Sequence, residues 1–212
     1  MSFPPSRLSQ NSVVRFGRNA GVVGVLFATV LLSGCLSTKH YIDPTLPKID
    51  IASLKQPTTP QPVQVFFEFQ TNGTTNTKAT EYVRPIVLDT IKKSKLFSDV
   101  VTAPTTAQRK LFVTINNLVN MDDAKARGFT TGLTFGLSGT MVTDGYQLTA
   151  SDAMTGRDEV KHSYKHAIYT TIGNADGPAG LSEVPKADAV RLAMEGLTLN
   201  LLNDMSKSGE LQ

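Results

Sequence analysis

The sequence predicts an α+β fold: a mostly antiparallel sheet with two helices packed on one face, preceded by a signal peptide and a flexible tether. Three observations carry this expectation. Val63 to Phe69 places Val63, Val65, Phe67 and Phe69 on one side, the period of a half-buried strand. Tyr146 to Met154 and Glu159 to Thr171 read as two further strands, joined by Thr155-Gly156-Arg157-Asp158, the residue types of a hairpin turn. Pro185 to Ser206 sets Ala187, Val190, Met194, Leu197, Leu201 and Met205 on one helical stripe, with Pro185 in the first turn and Gly209 as a stop.

The remaining elements fall between these. Asn72-Gly73 ends the first strand. Thr77 to Phe97 is helical in pattern, with Tyr82, Ile86, Leu88, Ile91 and Phe97 as its core face. Pro85 places the start of regular hydrogen bonding near Arg84, because proline fits a first turn and not a helix interior. Val100-Val101 reads as a short strand and Lys110 to Val119 as a longer one. Strand, helix, strands, hairpin, helix is an order most economically packed with the helices on one side of the sheet.

The first 34 residues have a different character. Arg7, Arg15 and Arg18 are their only charges, and they precede an apolar or small run from Ala20 to Leu32. As a helix this run reaches only about 20 Å, against roughly 30 Å of bilayer hydrocarbon, so it fits a cleaved export signal better than a permanent span. Removing it leaves 178 residues, enough for one domain with a real core. It also removes three of the 21 basic residues and none of the 18 acidic ones, leaving a net charge of zero. The basic balance belongs to the signal, and nothing points to nucleic acid as a partner.

From Leu36 to Pro62, Pro44, Pro47, Pro57, Pro60 and Pro62 favour extended backbone. This stretch is expected to act as a tether of roughly 30 Å, partly ordered where Ile49, Ile51 and Leu54 dock. The boundaries are therefore 1–34 for the signal, 35–62 for the tether and 63–212 for the domain.

Leu32-Ser33-Gly34-Cys35 joins signal to tether. It resembles the lipobox of bacterial lipoproteins: a leucine, two small residues and a cysteine. The resemblance implies a diacylglycerol on the Cys35 sulfur, cleavage just before it, and an acyl chain on the new amino group. Two or more chains give stable attachment where one is marginal. Leu36, in place of an aspartate, implies sorting to the outer membrane, with the domain in the periplasm. Cys35 is the only cysteine, so no intramolecular disulfide can form. In order of elements alone, Val63 to Ser206 is similar to the small α/β modules of periplasmic lipoproteins, such as the curli secretion lipoprotein and the amino-terminal domain of the Tol translocation protein.

Candidate chemistry is sparse. Gly128 to Val142 carries no charge, and Gly128, Gly132 and Gly136 recur at every fourth position. Phe129, Leu133, Phe135 and Leu137 occupy alternate positions, opposite Gly132, Thr134, Gly136 and Ser138. The segment reads as a core strand with a close neighbour, or as an interaction surface built on Phe129, Gly132, Leu133, Phe135, Gly136 and Leu137 that touches a partner or the membrane. His162 and His166 share a strand face but stand about 13 Å apart, too far to ligate one ion, and are expected at the surface. Asp122, Asp123 and Asp144 could pair with a cation, but adjacent acids in a loop read as solvated. Gly136-Leu137-Ser138-Gly139-Thr140 lacks the last glycine of a G-x-S-x-G elbow. No phosphate or dinucleotide loop is present.

No catalytic residue, metal or cofactor is therefore expected beyond the lipid on Cys35. The expected function is a non-enzymatic accessory or scaffold subunit of a transport, secretion or surface-assembly system, reaching the membrane through its lipid and meeting other envelope proteins. One alternative is a pore-forming or membrane-remodelling homo-oligomer using residues 128–142. Another is a periplasmic hydrolase or ligand binder using Ser138, His162 or His166.

Overall fold

The computed structural model describes residues 37–119, 141–173 and 175–212. Its central feature is a parallel pair. Strand β2 (Val63–Thr71) lies beside β5 (Arg109–Leu118), in register from Val63 opposite Arg109 to Thr71 opposite Asn117. A hairpin cannot join parallel strands, so the chain returns through a helix, α1 (Thr77–Ser94), packed over one face. Strands β6 (Met141–Met154) and β7 (Val160–Ile172) extend the sheet antiparallel, turning through Gly156 at φ +82°. An amino-terminal strand, β1 (Thr38–Ile42), closes the β7 edge. Two short strands, β3 (Thr74–Thr75) and β4 (Val100–Val101), cover opposite ends of the β2 edge. The order is β1-β7-β6-β5-β2-β3, with β4 also on β2. A second helix, α2 (Lys186–Lys207), packs against α1 and against β7 and β1. The fold is α+β, as expected.

The core lies between the sheet and its helices. Val65, Leu111, Val113, Ile115 and Leu148 point inward from the sheet and meet Val87 and Ile91 of α1 and Leu197 and Leu201 of α2. Helix α1 starts earlier than Pro85 suggested. Asn76 caps it by accepting from the Ala79 amide at 3.0 Å, and the helix runs through Pro85 to Ser94. Thr80 fixes this first half to the sheet, its hydroxyl meeting both the amide and the carbonyl of Phe69. These ties, with Val83 and Val87 packed on the core, offset the one donor that proline lacks. The buried stripe is Thr80, Val83, Val87, Thr90, Ile91 and Ser94, so Tyr82 is exposed rather than in the core.

Helix α2 departs from its expected stripe at one end. Ala187 is exposed and Ala189 and Ala193 are buried in its place, while Met194, Leu197, Leu201 and Met205 are buried as expected. Asn200 and Asn203 are also buried, because α2 is covered from a third side by the chain that follows β1. Asn200 Nδ2 donates to the Pro47 carbonyl at 2.9 Å. Leu54 is buried, and Ile49 and Ile51 pack on the core as foreseen. Residues 38–42 are thus a strand and the chain from there to Leu54 is partly docked, while residues 58–62 are exposed chain without helix or strand; Cys35, Leu36 and the residues before them lie outside the described residues.

Leu197→Ala and Ile115→Ala, both wholly buried, are expected to lower unfolding free energy by roughly 2–5 kcal/mol in urea titrations. Tyr82→Ala, 55% exposed, is expected to change it by less than about 0.5 kcal/mol.

Candidate functional site

The residues singled out as an interaction surface, Phe129, Gly132, Leu133, Phe135, Gly136 and Leu137, lie outside the described residues, as do Cys35, Asp122, Asp123 and Ser138. The two histidines of β7 are described, and neither is a surface residue. Register explains this: His162 stands opposite Ala150 and His166 opposite Tyr146, both on the face that meets the helices. His166 is buried against α2, where a Cβ on Gly196 would lie 3.6 Å from its Nε2. Its Nδ1 has no hydrogen-bond partner among the described residues. Burial lowers its pKa, against a smaller opposing pull from Asp43, which favours the neutral ring.

His162 belongs to a polar group at the end of the sheet where the β6–β7 turn lies. Its Nε2 is 3.1 Å from a carboxylate oxygen of Glu210, just beyond α2. Tyr164 donates to Asp204 at 2.6 Å, and burial followed by that carboxylate raises its phenol pKa. Arg109 is buried and pairs with Asp152, also buried. Arg109 reaches the Glu210 carbonyl at 2.5 Å as well, and Arg157 donates to the same oxygen at 3.1 Å. Burial pushes the Asp152 carboxyl upward more than Arg109 draws it down. The group has the residue types of a proton relay, yet its contacts run to residues 204–212. Its work is to hold the segment after α2 against the sheet.

The other end of the same face forms an open cleft of about 310 Å³. Strand β1 supplies Thr38 and His40, β6 supplies Asp144 and Tyr146, β7 supplies Ile168 and Thr170, and α2 supplies Lys186. His40 is buried, its Nδ1 3.0 Å from the Thr170 hydroxyl. Asp144, expected to be solvated, is half-buried. Burial raises its pKa, with His40 and Lys186 acting in the opposite sense. An apolar floor with one carboxylate, one imidazole and one ammonium group suits a small polar ligand.

A third feature lies on the opposite face of the sheet. Phe66 of β2 and Phe112 of β5 stand opposite each other in register and stack with centroids 4.7 Å apart. They are 39% and 42% exposed, beside an open cleft of about 400 Å³ that Arg84, Glu68 and Thr102 also line. Sequence reading concentrated on the inward alternation of β2 and passed over this outward pair. An aromatic at an outward position of each of two strands was the signal available. Arg109 and Asp152 were legible in the same way, as charges at inward positions of apolar alternations (Leu111, Val113, Ile115 and Tyr146, Leu148, Ala150).

No protein-family model matches this chain, and no curated protein matches it. Among solved structures it is similar to a point variant of PelC from Paraburkholderia phytofirmans, a dodecamer, at 12% identity and TM-score 0.35, covering 81% of this chain and 97% of that one. A second PelC dodecamer crystal form aligns at 10% identity and TM-score 0.35, covering 79% and 96%. A protein from Caulobacter crescentus provisionally described as a lipoprotein aligns at 11% identity and TM-score 0.30, covering 70% and 86%.

Arg109→Met leaves Asp152 buried and unpaired, and is expected to cost about 3–5 kcal/mol in denaturant unfolding, whereas Arg109→Met with Asp152→Leu is expected to recover much of that loss. For His166 the folded pKa lies below the unfolded value of 6.5. The unfolded chain therefore binds the proton first, and the His166 contribution is lost as pH falls below 6.5. The stability difference between wild type and His166→Gln, followed by urea titration from pH 7.5 to 5, is expected to shrink toward acid.

Proposed function

We propose that this chain is a lipid-anchored envelope protein, attached through Cys35, that acts as a non-enzymatic accessory or scaffold subunit in a transport, secretion or surface-assembly system of the outer membrane. The observation that carries the anchor is Leu32-Ser33-Gly34-Cys35 behind a basic flank and a short apolar run. Among the described residues no helix is long and apolar enough to cross a membrane, so the anchor is the attachment that the sequence offers.

The scaffold part of the reading is supported by where the titratable groups point. His162, Arg109, Asp152 and Tyr164 hold one another and the residues after α2. His166 packs on Gly196. The stacked Phe66–Phe112 pair faces outward on the side of the sheet away from the helices, and exposed aromatics of this kind anchor protein interfaces.

Growth with labelled palmitate is expected to mark the wild-type chain and leave Cys35→Ser unmarked, with the variant moving from the membrane to the soluble fraction. Label retained by Cys35→Ser would sink the anchor. A photo-crosslinking residue at Phe112 is expected to capture one defined envelope protein in intact cells, while the same residue at exposed Thr149 captures none. Equal or absent capture from both positions contradicts the scaffold reading.

A further inference from the structure

The sheet holds the chain in place almost as far as the anchoring cysteine. Thr38 to Ile42 pair with Ile172 to Ile168 in an unbroken antiparallel ladder. Ser37 extends that grip by one residue: its hydroxyl donates to the Gly173 carbonyl at 3.1 Å, and its own carbonyl accepts from the Gly173 amide at 2.8 Å. Only Leu36 stands between Ser37 and Cys35. Two peptide steps span at most about 7 Å between Cα atoms. A coil from Leu36 to Pro62 would have allowed roughly 30 Å. Much of the chain that could have supplied this distance is docked on the two helices, through Pro47 on α2 and through Ile51–Ser53 and Gln56 on α1.

One end of the sheet therefore lies beside the anchor. Register identifies what stands there: Thr38 is opposite Ile172, Met141 is opposite Thr171, and Leu118 is opposite Gly145. Val119 and Val142, two of the large apolar residues exposed on the domain, are at this end, 49% and 39% accessible. Exposed Lys186, in the first turn of α2, lines the cleft at this end together with Thr38, Val142 and the half-buried Asp144. Exposed valines with a lysine beside them suit a bilayer interface, where the apolar side chains partition inward and the ammonium meets anionic headgroups.

We infer that the domain rests directly on the bilayer with this end of the sheet, marked by Ser37, Val119 and Val142, against the lipid, and that the β6–β7 turn at Gly156 points away. The inference rests on the lipid attachment proposed above and adds its consequence for orientation. Val142 and Met154 of β6 are twelve residue steps apart, so the far turn stands about 40 Å from the contact end. The Phe66–Phe112 pair lies on the side wall between them, open to partners in the periplasm.

Because Cys35 is the only cysteine and its sulfur carries the lipid, an introduced cysteine is the one free thiol. Full-length chains bearing Val142→Cys or Asp158→Cys would be purified in lipidated form and labelled with an environment-sensitive fluorophore. They would then be reconstituted in phosphatidylethanolamine–phosphatidylglycerol vesicles containing a nitroxide-labelled lipid. Quenching is expected to be severalfold stronger at position 142 than at 158. Inserting a twenty-residue Gly-Ser stretch between Leu36 and Ser37 is expected to bring the two close to equal. Val119→Cys, at the neighbouring strand end, repeats the measurement should Val142→Cys fold poorly. Equal quenching in the uninterrupted chain, or a ratio that the insertion leaves unchanged, overturns the inference. Palmitate labelling of the same preparation separates the two levels: with Cys35 labelled, equal quenching defeats the orientation alone, and with Cys35 unlabelled both the attachment and the orientation fail.

Discussion

The parallel pairing of β2 with β5 is the constraint on which the rest of the molecule depends. It makes a crossover helix obligatory, and α1 must lie on the face where Val65, Phe67, Leu111 and Val113 point. Once that face is chosen, alternation decides which residues of β6 and β7 turn inward, since the antiparallel ladders carry the choice across the sheet without a slip. A helix is needed over the β6–β7 half, and α2 fills it. The two free edges are then managed separately. Short β3 and β4 protect the ends of β2, and β1 covers β7, its own outer side being bridged at Val184 among the described residues.

The same registers create the molecule's electrostatic tension. Near one end of the apolar run that Leu111, Val113 and Ile115 of β5 form with Tyr146, Leu148 and Ala150 of β6, Arg109 and Asp152 meet as a diagonal ion pair. A buried ion pair seldom stabilises more than apolar groups of the same shape, and the rise in the Asp152 pKa shows burial acting against the charge. What the pair supplies is specificity. Arg109 has donors left over, and directs them to the Glu210 carbonyl and the Met154 sulfur. The residues after α2 are thereby fixed to one place, with Leu211 buried beneath them. His162 and Tyr164 act to the same end through Glu210 and Asp204.

Much of this was legible in the sequence, and the failures have physical causes. Strands β2, β5, β6 and β7 announced themselves by alternation, and the Gly156 turn by its residue types. Strand β1 did not, because Thr-Lys-His-Tyr-Ile has no strong alternation and the prolines after it suggested a coil; its partner is more than a hundred residues away. Pro85 misled for a similar reason. The cost of a proline within a helix is local, while the Asn76 cap and the Thr80 tie that offset it depend on a strand the helix had yet to meet. The histidines of β7 were assigned to the correct strand and the wrong environment, since a face covered by a helix cannot be told from a solvated one by period alone. The cleft between His40, Asp144 and Lys186 joins β1, β6 and α2, and no local pattern could have assembled it.

Strand β1 therefore carries two duties that depend on the same geometry. As an edge strand it satisfies the outer hydrogen-bonding groups of β7 and gives α2 a third wall through the chain that follows. As the first described strand after Cys35 it is where load from the proposed anchor would enter. The chain leaves β1 at the Thr38 end, so a pull from there runs along the strand and loads its ladder to β7 in shear, all bonds together. The same pull across the strand would open them one at a time. Docking residues 43–54 on the two helices removes slack on the far side, so displacement of β1 would also have to break the Asn200–Pro47 contact and expose Leu54. The segment whose composition suggested a loose lead is, by its contacts, among the more tightly integrated parts of the fold. Under the proposed attachment at Cys35, that integration would fix orientation as well as attach the domain.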